Sequence, residues 1–347
     1  MRILQIVAAV SPDNAYGGPT TVAVNQCRAL AAAGHDVTLA AAGLGFVNGF
    51  PGDWEGVPVE LFAGHRVLPG AGFAGLASPA LHLWLTRHVR EFDVVHVHLA
   101  RDLVTLPAAD IAQRAGVPVH AMTHGMIDAS ANPLAVPLDR VMTARVLRGC
   151  VRVFHLTERE RDDLRSLFGE GLRLEELHNG VLVPASKPEH RTGGALTVLY
   201  LARLQERKRP GTFVEMARRL AGEFPAARFV MIGPDEGVGQ SIRTQIAATG
   251  LGDRLVWKGP ATHEEAARAM AAADVYVLPS VDEPYPMSVL EAMGQGLPVV
   301  LTDTCGLAPA VAEHGAGIVT DASTGQVAGA VRALLSDAGG RLAAGGR

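Results

Sequence analysis

The chain has 347 residues, of which 48% are apolar and 19% charged, and a net charge of −4. This is globular composition and excludes wholesale disorder. The acidic balance argues against a nucleic-acid binder, which shows a basic patch. Cys27, Cys150 and Cys305 are too widely spaced for a disulfide framework or a zinc knuckle, which points to a reducing, cytoplasmic compartment.

Length alone suggests about two domains. Apolar runs alternate with helical stretches. Strands are expected at Ile3–Ala9, Val37–Ala42, Asp93–Val97, Val117–Thr123, Val151–Leu156 and Arg173–His178. Helices are expected at Thr20–Ala33, Leu76–Arg90, Leu103–Ala115 and Glu158–Phe168. Pro184 to Gly194 (PASKPEHRTGG) is polar, rich in Pro and Gly, and reads as a linker. The alternation then restarts, with strands Leu196–Leu201, Arg228–Ile232, Leu255–Trp257, Val275–Leu278, Pro298–Leu301 and Gly317–Val319. The helices between and after them are Thr212–Ala221, Gln240–Thr249, His263–Ala273, Ser288–Met293 and Thr324–Leu335. Continuous apolar strands alternating with helices predict an α/β chain of two doubly wound, Rossmann-like domains. The expected boundaries are 1–185 for an N-terminal domain, 186–194 for the linker, 195–335 for a second domain and 336–347 for a short tail. Ligands in such sheets sit at the carboxyl ends of strands, here in an expected cleft between the domains.

The N-terminal apolar run is followed by Ser11-Pro12-Asp13 and reads as a buried strand and its loop rather than a signal peptide. The weakly polar stretch Ala71–Leu85 is broken by Gly72, Gly75 and Pro79 and is too short to span a bilayer. No phosphate loop of the G-x-x-x-x-G-K-[ST] type, no G-x-G-x-x-G after a strand and no G-x-S-x-G elbow is present. There is no Asp-x-Asp to hold a metal on a diphosphate. His96 and His98 share one face of a strand; with no Cys or carboxylate nearby in sequence, a structural role outweighs a metal site.

The most informative segment runs from Pro279 to Met293 (PSVDEPYPMSVLEAM). It follows a strand and places an acid, Glu283, before two prolines and a helix start near Met287. Unpaired amides at such a start, with the helix dipole, suit a phosphate. Glu291, inside the helix, suits a ribose diol. Eight helical residues would separate the two acids by ~12 Å, which favours separate contacts over a hydrolytic pair.

This segment resembles the Glu-x7-Glu signature of family 4 glycosyltransferases, retaining enzymes of the GT-B fold. Other pieces agree in order: Pro12 to Gly18 resembles the N-terminal glycine loop, and FDVVHVHL the strand before the cleft. Thr123-His124-Gly125 resembles the cleft histidine, LTERERDDL and HNGV the end of the first domain, and LYLARLQERKRP the basic opening of the second. The resemblance covers roughly residues 1 to 335. It implies that Arg203 and Lys208 neutralise the donor diphosphate. It puts Glu283 on donor-sugar hydroxyls, Glu291 on the ribose, and the amides of Pro286, Met287 and Ser288 on sugar or phosphate. His124 would hydrogen-bond the donor sugar. Gly17 and Gly18 would allow close backbone approach, and Gly233 with Trp257-Lys258-Gly259 would flank the base. The implied reaction is metal-independent and needs no cofactor: a sugar moves from UDP-sugar first, GDP-sugar second, to an acceptor hydroxyl.

Two departures stand out. Glu-Pro-Tyr-Pro replaces the family's common Glu-Gly-Phe-Gly, and the closing AGGRLAAGGR leaves the expected crossing helix short or missing. The alternatives are a sugar-nucleotide epimerase or hydrolase on the same fold, and a non-catalytic binder of nucleotide sugars. The acceptor, whether saccharide, small molecule or lipid-linked, is not readable; Ala15–Thr20, Leu68–Leu83 and Met126–Leu138 are the segments expected to set it. No basic run accompanies Leu68–Leu85, so any membrane contact is expected to be peripheral.

Overall fold

The computed structural model describes residues 1–12, 17–67, 72–129, 135–183 and 195–346. The linker reading at 186–194 and parts of the three acceptor segments lie outside these residues. The chain divides into two compact units, Met1–Gly180 and Val181–Arg347.

In the first unit the elements run β1 (Arg2–Val10), α1 (Gly17–Ala32), β2 (Asp36–Gly43), β3 (Asp53–Trp54), β4 (Val57–Ala63), β5 (His65–Arg66), β6 (Leu76–Ala77) and α2 (Pro79–His88). They continue with β7 (Val94–His98), α3 (Thr105–Arg114), β8 (Val119–Met122), α4 (Ala135–Leu138), α5 (Ala144–Gly149), β9 (Arg152–His155), α6 (Glu158–Phe168) and β10 (Leu174–Glu176). Eight strands form one sheet in the order β10-β9-β8-β7-β1-β2-β4-β3, parallel except for the β3–β4 edge. The winding reverses between β1 and β7, where a doubly wound sheet binds its ligand. β1 is buried from Ile3 to Val10, because helices cover both faces.

The second unit holds β11 (Thr197–Leu201), α7 (Pro210–Leu220), β12 (Arg228–Ile232), α8 (Gly239–Thr249), β13 (Leu255–Trp257), α9 (His263–Ala271) and β14 (Val275–Leu278). It ends with α10 (Met287–Gly294), β15 (Val299–Thr302), α11 (Ala308–His314), β16 (Gly317–Thr320), α12 (Thr324–Ser336) and α13 (Ala338–Gly345). Its six parallel strands lie in the order β13-β12-β11-β14-β15-β16, and the winding reverses between β11 and β14. The core gathers Tyr200, Phe213, Phe229, Val277 and Val300 around this sheet.

Several expectations need correction. Val57–Ala63 is a strand that the pattern reading passed over; its alternating burial is that of a strand near a sheet edge. The expected helix at Leu76–Arg90 begins only at Pro79, which stands at its first turn, while Leu76 and Ala77 pair with His65 and Arg66. Ala308–His314 is a helix not read from sequence. The tail expected at 336–347 contains a capped helix: Asp337 accepts from the amide of Gly340. That helix packs so tightly that a Cβ on Gly345 would lie 1.9 Å from the carbonyl oxygen of Gly296.

Candidate functional site

In the second unit the candidate residues come together at the winding reversal. The loop after β11 carries Arg203, Arg207 and Lys208, and the segment after β14 carries Glu283. Two hydrogen bonds sew the loops together: the Val281 amide donates to the Arg207 carbonyl at 3.0 Å, and the Arg207 side chain donates from Nη1 to the Asp282 carbonyl at 3.0 Å. Arg209 and Asp282 both take left-handed backbone angles, with φ of 51° and 49°. Such angles cost a non-glycine residue of order 1–3 kcal/mol and tend to mark functional loops.

Lys208 and Glu283, expected to make separate contacts with a ligand, instead hold each other: Lys208 Nζ donates to Glu283 Oε2. Both are buried, at 9% and 6% exposure. Burial holds the Lys208 ammonium below its ordinary value, with the Glu283 carboxylate opposing that shift. Arg207 Nη2 lies 4.0 Å from the same carboxylate oxygen. Arg203 is engaged too, at 2.7 Å from Glu236, a residue the sequence reading missed. Gln205 donates to the other oxygen of Glu236. Arg203, Arg207 and Lys208 are therefore each matched to an acid of the same unit.

Helix α10 begins where the sequence placed it, with Pro286 as its N-cap and no side-chain cap bond. Pro286 has no N–H, so the donor role expected of its amide falls away; it also supplies no hydroxyl or carboxylate to the first amides, and those of Met287 and Ser288 keep their donor capacity. Ser288 Oγ lies 2.7 Å from the Tyr276 hydroxyl, which donates to the Leu201 carbonyl at 2.9 Å. This ties the helix start to the end of β11. Glu291 lies one turn inside the helix.

Gly233 has a φ of 146°, and a Cβ there would stand 1.9 Å from the Ala202 carbonyl oxygen. Only glycine lets the ends of β11 and β12 approach so closely. Its amide donates to the Gly259 carbonyl at 2.8 Å, and its carbonyl accepts from Trp257 Nε1 at 2.9 Å. The Arg243 guanidinium covers the Trp257 ring at 4.3 Å. The residues grouped from sequence around Gly233 are thus brought together.

In the first unit, His124 follows β8 and has a φ of 53°. Glu160, 4% exposed, holds the turn from both sides: Oε1 accepts from Thr123 Oγ1 and from the Gly125 amide, each at 2.5 Å, and Oε2 accepts from the Leu156 amide at 2.7 Å. His98 Nδ1 lies 2.7 Å from His124 Nε2, and its Nε2 lies 2.8 Å from Gln5 Oε1. Burial keeps all three histidines of this strand end neutral: His96 and His124 are pushed down to about 3 and His98 well below its ordinary value. His96 stacks on His98 and Phe154.

Gly17 and Gly18 open helix α1. Among the described residues a Cβ on Gly18 would meet nothing within 4 Å. Among the described residues no three His, Cys, Asp or Glu side chains are grouped to hold a metal ion. No helix among them is long and apolar enough to cross a membrane.

Comparison with known proteins bears on both units. Residues 17–180 match the model of the glycosyl transferase 4-like domain, and residues 184–344 match glycosyl transferases group 1. A D-inositol 3-phosphate glycosyltransferase of Mycobacterium sp. (strain KMS) is 27% identical over 270 residues, covering 71% of this chain and 59% of that protein. A 2-deoxystreptamine N-acetyl-D-glucosaminyltransferase of Streptomyces fradiae is 32% identical over 241 residues, covering 62% and 57%. The match thus spans about three fifths of the length of these relatives. Among solved structures, Anabaena HepE in complex with UDP and glucose superposes with a TM-score of 0.74 at 18% identity, over 99% of this chain and 92% of that one. Sucrose-phosphate synthase from Thermosynechococcus elongatus gives 0.76 at 18% identity, over 99% and 92%. With two doubly wound sheets, a glycosyltransferase domain model matched on each unit and GT-B neighbours along its whole length, the chain belongs to the family 4 glycosyltransferases.

Proposed function

We propose that this chain transfers a sugar from a nucleotide diphosphate sugar, UDP-sugar first and GDP-sugar second, to an acceptor hydroxyl, with retention and without a metal. The observation that carries this reading is the convergence after β11 and β14 of Arg203, Arg207, Lys208 and the uncapped start of α10. These groups supply positive charge where a diphosphate departs. Preorganised donors aimed at developing charge are among the strongest sources of rate enhancement. Glu283, fixed by Lys208, accepts from donor-sugar hydroxyls, and Glu291 accepts from the ribose diol. Gly233 and Trp257 flank the base, Gly17 and Gly18 admit the diphosphate or acceptor backbone-close, and His124 meets the donor sugar. The C1–O bond to the diphosphate breaks, the acceptor oxygen takes its place on the same face, and the acceptor proton leaves with the released nucleotide. Retention rests on family membership, and UDP on the UDP-bound neighbour.

The test is calorimetric titration with UDP, GDP and ADP, each in EDTA and in magnesium, followed by turnover of the bound nucleotide's sugars. The acceptors named by the relatives, D-inositol 3-phosphate and 2-deoxystreptamine, are the first to try. Selective binding that survives EDTA, with turnover only when an acceptor is present, supports the proposal. Turnover without an acceptor favours a hydrolase or epimerase. Binding with no turnover under any acceptor favours a binding protein.

A further inference from the structure

The hydrogen bonds around His124 continue into the first unit and have a direction. Gln26 Nε2 lies 3.7 Å from Met122 Sδ. A thioether can only accept, so the Gln26 amide nitrogen faces it and Gln26 Oε1 turns the other way. Gln5 Nε2 donates to that oxygen at 3.4 Å, which leaves Gln5 Oε1 for His98 Nε2 at 2.8 Å. Gln5 is 0% exposed and His98 1%, so water does not substitute for either partner. An oxygen at His98 Nε2 requires the proton to be on that nitrogen. In a neutral ring Nδ1 is then a lone pair, and it accepts from His124 Nε2 at 2.7 Å. The two rings are 10° from parallel with centroids 5.0 Å apart. That separation equals the N···N distance plus the two ring radii, so the rings lie edge to edge in one plane, with the N–H directed along the lone pair.

We propose that the chain Met122–Gln26–Gln5–His98 fixes His124 as its Nε2-protonated tautomer, leaving Nδ1 as a hydrogen-bond acceptor. Among the described residues Nδ1 takes no hydrogen bond, and its lone pair is what the relay offers an incoming group. That group must bring an O–H or N–H. A sugar hydroxyl fits and a phosphate oxygen does not, because two lone pairs would face each other. Gln5 and His98 are thus positioning residues that assign His124 to sugar rather than to diphosphate. This rests on the glycosyltransferase reading only for the ligand; the tautomer stands by itself.

The test is long-range 15N–1H correlation on protein labelled at histidine nitrogen, with His124 assigned by the signals lost in His124→Gln. In the wild type without ligand, His124 should show one protonated and one bare nitrogen, with the proton on Nε2. A proton on Nδ1, or a charged ring near neutral pH, overturns the proposal. Gln5→Met removes the oxygen that orients His98, so the single tautomer should give way to a mixture; an unchanged His124 pattern in the folded variant overturns it. The wild-type spectrum decides the matter even if Gln5→Met does not fold. In turnover assays Gln5→Met should lower kcat about tenfold, the equivalent of one hydrogen bond, with the acceptor KM unchanged. A chain with the expected tautomer and no transfer keeps the relay and loses the enzymatic reading; transfer with the opposite tautomer does the reverse.

Discussion

Replacing Glu283 with glutamine turns a buried ion pair into a buried lone ammonium. Water cannot take over, since Lys208 and its partner are 9% and 6% exposed. Removing one partner of such a pair costs about 3–5 kcal/mol, a large share of the ~5–15 kcal/mol that stabilises a typical protein. Lys208 escapes part of this loss by shedding its proton. Its folded-state pKa already lies below the ordinary 10.5 through burial, and Glu283 is the main influence holding it up. Between the folded and unfolded values the unfolded chain binds more protons, so stability climbs with pH in that window. The deficit of Glu283→Gln is therefore greatest near pH 7 and shrinks as pH approaches 10.5. Lys208→Met/Glu283→Gln removes both charges and should recover all but about 1 kcal/mol. Urea unfolding of the wild type, both single variants and the double variant, at pH 7 and at about pH 9.5, measures this. Single-variant losses that simply add in the double variant, with coupling below ~0.5 kcal/mol, would refute the reasoning.

Glu236→Gln should tighten UDP binding a few-fold by calorimetry, because Arg203 no longer exchanges one anion for another; weaker binding would show that Glu236 orients Arg203 instead. The buried histidines make the fold acid-labile. Their folded pKa values lie below the unfolded 6.5, so the stability they confer is present above 6.5 and is lost as pH falls toward about 3. Each can contribute up to about 1.4 kcal/mol per pH unit, and His96→Phe, which keeps the stack on Phe154, should flatten the slope of urea midpoint against pH. Gly233→Ala should cost at least ~1–3 kcal/mol in backbone strain alone and abolish UDP binding, read by thermal melting and calorimetry; native-like binding would show that the β11 end relaxes freely.

Part of the candidate site's layout is legible without the fold. Glu283, the α10 start and Glu291 lie within nine residues of sequence, so local order alone marks an acid, a helix start and a second acid. Arg203 and Lys208 were picked out by position in a matched motif. Glu236 was not, although it lies only three residues past Gly233, because nothing local marks which acid an arginine will find. Glu160 was quoted in LTERERDDL without a role; its work on Thr123 and Gly125 spans 37 and 35 residues. The edge strand Val57–Ala63 was missed because its half-buried alternation is weaker than the continuous apolar runs of the central strands.

The sequence by itself determined the alternation of buried strands and helices, hence two doubly wound sheets, because period and hydrophobicity are local quantities that parallel pairing reads directly. Only the tertiary structure decided who holds whom. Lys208 meets Glu283 across 75 residues and His98 meets Gln5 across 93. Such pairs are set by strand order at the two winding reversals. There, residues remote in sequence share a buried space with few alternative partners, and an unpaired polar atom would cost more than the order it imposes.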